Sequence, residues 1–183
     1  MQKGKIIILN GTSSAGKTTL AKTLQNRLNE PFLFLDNDSF IDTSTNEKFL
    51  GYFNVLLRHE LPILHDIIKT FSDRGLNVLY ESAFDKTTVM EKCVDLLHEY
   101  PVLFVHVTCP LEELRNREKK RGDRNIGLAE AIIPILNPRD NTYDMVVDTY
   151  KNSKEECADM IIDMLNCPEK FSAFKTLWSQ RAK

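Results

Sequence analysis

Residues 11–18 read Gly11-Thr12-Ser13-Ser14-Ala15-Gly16-Lys17-Thr18, with Thr19 following. This is G-x-x-x-x-G-K-[ST], and each defined position has a chemical reason. Glycines let a backbone wrap a phosphate without Cβ clashes. The N–H groups of the loop and of a helix that starts after it gather partial positive charge. Lys17 is placed to reach β- and γ-phosphates, and the Thr18 hydroxyl to ligate Mg²⁺. The segment follows the apolar run Ile6-Ile7-Ile8-Leu9 and precedes a stretch with Leu20, Leu24 and Leu28 at helical spacing. That context, strand to loop to helix, implies a nucleoside triphosphate site.

Phosphate binding does not choose a reaction. The D-x-x-G and N-K-x-D elements of a GTPase switch do not occur, and the length leaves no room for the added elements of larger ATP-driven machines. A small phosphotransferase remains, and it needs a group to orient or deprotonate the acceptor hydroxyl and cations to neutralise the moving phosphoryl group. In open parallel sheets the site lies at the carboxyl ends of strands. The end of a strand neighbouring the first would bring a carboxylate to that point. Asp38 in Phe34-Leu35-Asp36-Asn37-Asp38-Ser39 is the candidate, with Asp36 a competitor and a helix cap or turn the structural alternative. Glu81 ends a later apolar run, where it would hold Mg²⁺ through water, contact substrate, or cap the next helix. Six of the ten residues 115–124 are Lys or Arg. Such a run ordinarily covers a solvated helix face. Here it follows a strand and the Cys109-Pro110 break, the position of a lid over triphosphate. Arg121, Arg124 and Arg117 are the candidate phosphate contacts, with stacking on the base an alternative for Arg117.

The elements that must position these groups follow from periodicity. Segments 5–9, 32–35, 76–80, 102–108 and 145–147 are apolar without strict alternation, as expected of strands buried on both faces. Segments 18–28, 54–71, 89–97 and 153–165 have helical spacing, with Pro62 breaking or kinking the second. Strand and helix alternate, which predicts a single three-layer α/β domain with a parallel sheet. Phe171, Phe174, Leu177 and Trp178 lie on one face of a C-terminal helix over about 168–183, which is expected to dock on the domain or to offer a dimer contact.

At 183 residues with 42% hydrophobic and 27% charged residues, the chain has material for one compact core and is not a disordered or fibrous sequence. The net charge of −2 lacks the basic excess of a general nucleic-acid binder, so any anion site is local. No apolar run reaches the ~20 residues of a membrane helix, and the N-terminal run is too short for a signal peptide, so a cytoplasmic protein is expected. Cys93, Cys109, Cys157 and Cys167 form no C-x-x-C pair and are expected to be packed, reduced thiols. His59, His65, His98 and His106 share no ligand spacing, and His106 reads as a core residue of its strand. Phe40, Ile41, Phe49, Tyr52 and Phe53, with Arg58 or His59, would line an apolar acceptor pocket or pack the core.

The chain resembles the chloramphenicol phosphotransferase-like proteins. The resemblance is carried by residues 7–17, by Glu30-Pro31-Phe32 and Asp38-Ser39, and by Arg117-Glu118 with Arg121-Gly122-Asp123-Arg124. Tyr143-Asp144, Val147-Asp148-Thr149 and the Ser153…Glu156-Cys157-Ala158 helix start extend it to about residue 166. It implies a P-loop kinase with a five-stranded parallel sheet, a basic lid over about 111–128, and ATP- and Mg²⁺-dependent phosphorylation of a small-molecule hydroxyl. It also implies that Asp38 acts as the base. Residues 40–53 and Asn137-Pro138-Arg139-Asp140 depart from the family pattern, which separates the reaction type from the identity of the acceptor. A nucleotide-dependent regulatory NTPase and a polynucleotide or tRNA-type kinase are the alternative expectations.

Overall fold

The structure is a computed structural model, and it describes residues 2–44, 47–49, 51–52, 63–84, 87–121, 127, 129–131, 133 and 142–181. Five parallel strands, β1 (Ile6–Asn10), β2 (Phe32–Asp36), β3 (Asn77–Ser82), β4 (Val102–Thr108) and β5 (Met145–Asp148), lie in the order β2-β3-β1-β4-β5. The helices are α1 (Lys17–Arg27), α2 (Asn37–Ser44), α3 (Ile63–Asp73), α4 (Thr87–Leu97), α5 (Leu111–Arg121), α6 (Lys154–Leu165) and α7 (Ala173–Arg181).

The run Ile6-Ile7-Ile8-Leu9 is apolar throughout because both faces of β1 are covered, and all four side chains are fully buried. Ile7 and Leu9 join Leu20, Ala21 and Leu24 of α1 and Cys157, Ala158 and Ile161 of α6. Ile6 and Ile8 join Leu64 and Ile68 of α3, Cys93, Val94 and Leu97 of α4, and Phe174 and Leu177 of α7. This alternation produces the three layers. Each such side chain contributes about 1.5–3 kcal/mol on burial, so the strand that leads into residues 11–18 is firmly held.

The helix ends follow local chemistry. Ser153 caps α6 in a reciprocal box: its Oγ accepts from the Glu156 N–H at 3.2 Å while the Glu156 carboxylate accepts from the Ser153 N–H at 2.8 Å. Asp144 accepts from the Ser172 and Ala173 amides at the start of α7 and from the Phe104 amide of β4. The Tyr143-Asp144 pair thus fastens the last helix to the sheet.

One expectation changes. The C-terminal helix starts at Ala173, after a 3₁₀ turn at Pro168–Lys170, so Phe171 is off its face and packs in the core on the α1/α6 side. The helix docks on the domain: Phe174 and Leu177 enter the core, and Trp178, 43% exposed, stacks on His98 at 4.3 Å. The second helical segment is described only from Ile63; residues 54–62, with Arg58, His59 and Pro62, lie outside the described residues. The four cysteines are free, three of them buried. Among the described residues no helix is long and apolar enough to cross a membrane.

Candidate active site

β1 sits where the chain reverses its direction across the sheet, between β3 and β4, and the loop that leaves it occupies the carboxyl edge at that point. Two residues explain its shape. Gly11 passes so close to β4 that a Cβ would stand 2.3 Å from the Val107 carbonyl oxygen. Gly16 has φ of 92°, a conformation that side chains oppose, and Ser14 takes φ of 62° to complete the turn. Gly16 then serves as N-cap of α1 with no capping side chain, and the first turn of α1 holds no acidic residue. The amides at that helix start are therefore left for an anion.

Two of the loop's carbonyls are held from outside it. Thr149 Oγ1, just past β5, donates to Ala15 O at 2.7 Å, and Arg117 Nη1 donates to Ser14 O at 3.3 Å. Arg117 also reaches Thr149 Oγ1 and Thr149 O, and Glu113 accepts from its Nε at 2.9 Å. Its guanidinium is engaged on the loop and on Thr149. The sequence offers Arg117 as a phosphate contact or a base-stacking group; in the structure it braces the loop and lines the cleft. Inside the loop, Lys17 Nζ donates to Thr12 O at 3.0 Å and stands 3.8 Å from Glu81 Oε1.

Glu81, near the end of β3, accepts from the Thr18 hydroxyl at 2.9 Å. Burial pushes its carboxyl above the ordinary carboxylate range; Lys17 and Thr18 oppose that, while the charges of Asp36 and Asp38 add to it. Among the described residues, Glu81 Oε2 and Ser14 Oγ are buried without a hydrogen-bond partner. Unpaired buried polar atoms are costly, and two of them at one loop fit a site built for something else. A cleft of about 420 Å³ opens there, lined by Ser14, Gly16, Lys17, Thr18, Thr19, Leu20, Glu81, Arg117, Lys120, Thr149 and Lys154. Four cations face one carboxylate among these residues, in a chain of net charge −2. Thr18 and Glu81 supply the hard oxygen donors that Mg²⁺ takes when it is shared with phosphates, so the residues present fit that ion.

The strand order corrects one step of the sequence argument. β3, not β2, flanks β1, so the carboxylate of the neighbouring strand is Glu81, paired in register with Leu9. Asp36 pairs with Glu81 one strand further out, and its Oδ1 accepts from the Ser39 amide at 2.8 Å, capping α2. Asp38 is exposed in the first turn of α2, near enough to Glu81 for its charge to act there. Gly11, Thr12, Ser13 and Ala15 are buried and form the floor and anchor of the loop. Arg121 ends α5 and Arg124 lies outside the described residues, as does most of 122–128.

Of the aromatic set that could line a pocket or pack the core, Phe53 lies outside the described residues, as do Arg58 and His59. Phe40 packs against the core, whereas Phe49 and Tyr52 are 46% and 67% exposed. His106 is a strand residue stacked on Tyr143 at 4.6 Å, and burial lowers its pKa. Sequence reasoning missed Thr149, Lys120 and Lys154 as lining groups. Thr149 carried a usable signal, since a polar pair, Asp148-Thr149, closes the last apolar run at the same sheet edge.

Three comparisons bear on this geometry. The Mycobacterium tuberculosis protein named "Putative O-phosphotransferase Rv2636" is 30% identical over 188 residues, covering 86% of this chain and 80% of that one. The structure of the Mycobacterium tuberculosis APS kinase CysC with AMPPNP and APS superposes with a TM-score of 0.67 at 18% identity, covering 91% of this chain and 99% of that one. The Acinetobacter baumannii shikimate kinase with shikimate gives 0.60 at 18%, covering 91% and 95%. These two likenesses show a shared fold. The model of the family described as "Chloramphenicol phosphotransferase-like protein" matches residues 4–166, and the chain belongs to that family of P-loop phosphotransferases.

Proposed function

We propose that the protein transfers the γ-phosphoryl group of ATP to a hydroxyl of a small molecule, with Mg²⁺ as cofactor. The observation that carries the reading is the pair of unpartnered buried oxygens, Ser14 Oγ and Glu81 Oε2, in one cleft with the Lys17 ammonium and the Thr18 hydroxyl. The uncapped start of α1 receives the phosphates, and Lys17, tied back to Thr12 O, neutralises charge on the transferring group. Thr18 and Glu81 are the residues that would hold Mg²⁺, which would supply charge neutralisation to the phosphates. Asp38 orients the acceptor hydroxyl and takes its proton as the alcohol oxygen bonds to phosphorus and the bond to the β-phosphate oxygen breaks, releasing ADP. Arg121 and Arg124 are assigned to phosphate charge from their place in the basic run. Membership of the family and the O-phosphotransferase name of the Mycobacterium relative support an alcohol acceptor.

The test is phosphoryl transfer from γ-labelled ATP to a panel of hydroxylated metabolites and antibiotics. Asp38→Asn is expected to lower transfer by ~10²–10⁴-fold while Mg·ATP affinity is retained. Turnover stimulated by nucleic acid and by no small hydroxyl compound would overturn the reading.

A further inference from the structure

Among the described residues of the basic run, Glu118 is the buried one. It is 1% exposed, although it lies between Arg117 and Lys119. A carboxylate buried to that extent persists only when both oxygens are satisfied. Here Oε1 accepts from the Ala129 amide at 2.8 Å and Oε2 from the Gly127 amide at 2.9 Å. Ala129 is itself fully buried, and its carbonyl accepts from Thr12 Oγ1 at 3.1 Å. Thr12 in turn offers its carbonyl to Lys17 Nζ. One continuous hydrogen-bonded path therefore runs from Glu118 through the Ala129 peptide and Thr12 to the lysine of the loop.

Successive residues of a helix point about 100° apart, so α5 can act on two points of the loop at once. Arg117 holds the Ser14 carbonyl directly, and Glu118 holds Thr12 through Ala129. We propose that Glu118 is a positioning residue of the phosphotransfer site: it fixes the Ala129 peptide so that Thr12 holds the start of the loop and the Lys17 ammonium in register for phosphate. This rests on the reading of residues 11–18 as a phosphate site. Glutamine cannot replace the carboxylate, because an amide offers one acceptor oxygen where two amide donors must be met. Thr12 requires its hydroxyl, since valine has the same shape without the donor.

The experiment measures Mg·ATP affinity by titration calorimetry for the full chain and for E118Q, T12V, T12S and the E118Q/T12V pair. Each variant is checked for cooperative unfolding. E118Q is expected to bind about tenfold more weakly and T12V several-fold more weakly, with T12S close to the parent. Because both act along one path, the double variant is expected within about twofold of the weaker single variant. A folded E118Q with parental affinity overturns the proposal, as do losses that multiply in the double variant. If E118Q does not fold, T12V decides: faster amide exchange at Ala129 together with weaker Mg·ATP binding supports the path, and parental values of both overturn it. A parent without Mg·ATP affinity overturns the phosphate-site reading and this proposal with it. A binding parent whose variants are insensitive overturns the proposal alone.

Discussion

Glu81→Gln separates two roles that a buried carboxylate beside a lysine can play. Lys17 Nζ and Glu81 Oε1 are 3.8 Å apart, with the two side chains 8% and 15% exposed. At an effective dielectric of ~20 that distance corresponds to an attraction of about 4 kcal/mol. Burial nevertheless wins, since the carboxyl is displaced upward despite Lys17 and Thr18, and Oε2 has no partner among the described residues. The charge is therefore not held for the stability of the free protein. If it were, breaking the pair would cost about 3–5 kcal/mol. Glutamine keeps the volume and an acceptor for the Thr18 hydroxyl, so the free variant is expected within about 1 kcal/mol of the parent in urea unfolding. Mg·ATP is expected to distinguish them. At a ligand concentration one hundred times Kd, binding stabilises the parent by about 2.7 kcal/mol. A loss of affinity of about tenfold to a hundredfold, the size expected when a group that holds a metal is removed, leaves the variant about 0.4–1.4 kcal/mol. A free variant destabilised by ~3 kcal/mol or more would make Glu81 a structural partner of Lys17. An undiminished Mg·ATP shift would remove it from the metal site.

Two further outcomes test the frame around the site. His65 is 2% exposed, edge-on to Tyr80 and Phe84, with Nδ1 unpartnered among the described residues; burial, aided by Lys92, pushes its pKa down to about 4. Below pH 6.5 the unfolded chain gains a proton at this residue that the folded chain refuses. Stability from His65 is thus complete above 6.5 and lost as pH falls toward about 4, by a total of about 3 kcal/mol. Urea unfolding of the parent and His65→Leu across that window is expected to show a larger loss in the parent, the difference being the His65 contribution. Thr149→Val leaves Ala15 O and an Arg117 N–H without their hydroxyl partner and is expected to weaken Mg·ATP binding by about tenfold, with Thr149→Ser near the parent. Parental affinity in the valine variant would mean that the loop holds its shape without this brace.

The fold was legible where burial on two faces leaves continuous apolar runs, and it was read short where the sheet meets the site. Expected strand ends at residues 9, 35, 80 and 147 became Asn10, Asp36, Ser82 and Asp148. The ladder continues through these polar residues, as the pairings of Leu9 with Glu81 and Asn10 with Ser82 record. Apolar character stops before the hydrogen bonding does, because the carboxyl edge carries the chemistry. The turn at residues 11–18 was legible from its local pattern, since the positive φ of Gly16 is a backbone demand that the residue type itself signals. The neighbours of the loop were not. Strand order decides that Glu81 rather than an aspartate of β2 stands beside β1, and no local pattern encodes that order. The buried Glu118 and the bracing role of Arg117 were hidden for a related reason. In a charge run, the sequence does not mark which side chains turn inward, and the partners are backbone atoms contributed by distant segments.

The central claim is that the loop after β1 grips the phosphates of Mg·ATP with its backbone and one ammonium group. Calorimetric titration of Mg·ATP into the parent and into Lys17→Ala, each shown to unfold cooperatively, tests it most directly. The account predicts saturable one-to-one binding by the parent and its loss in the variant. A parent with no affinity, or a variant that binds as the parent does, would contradict it.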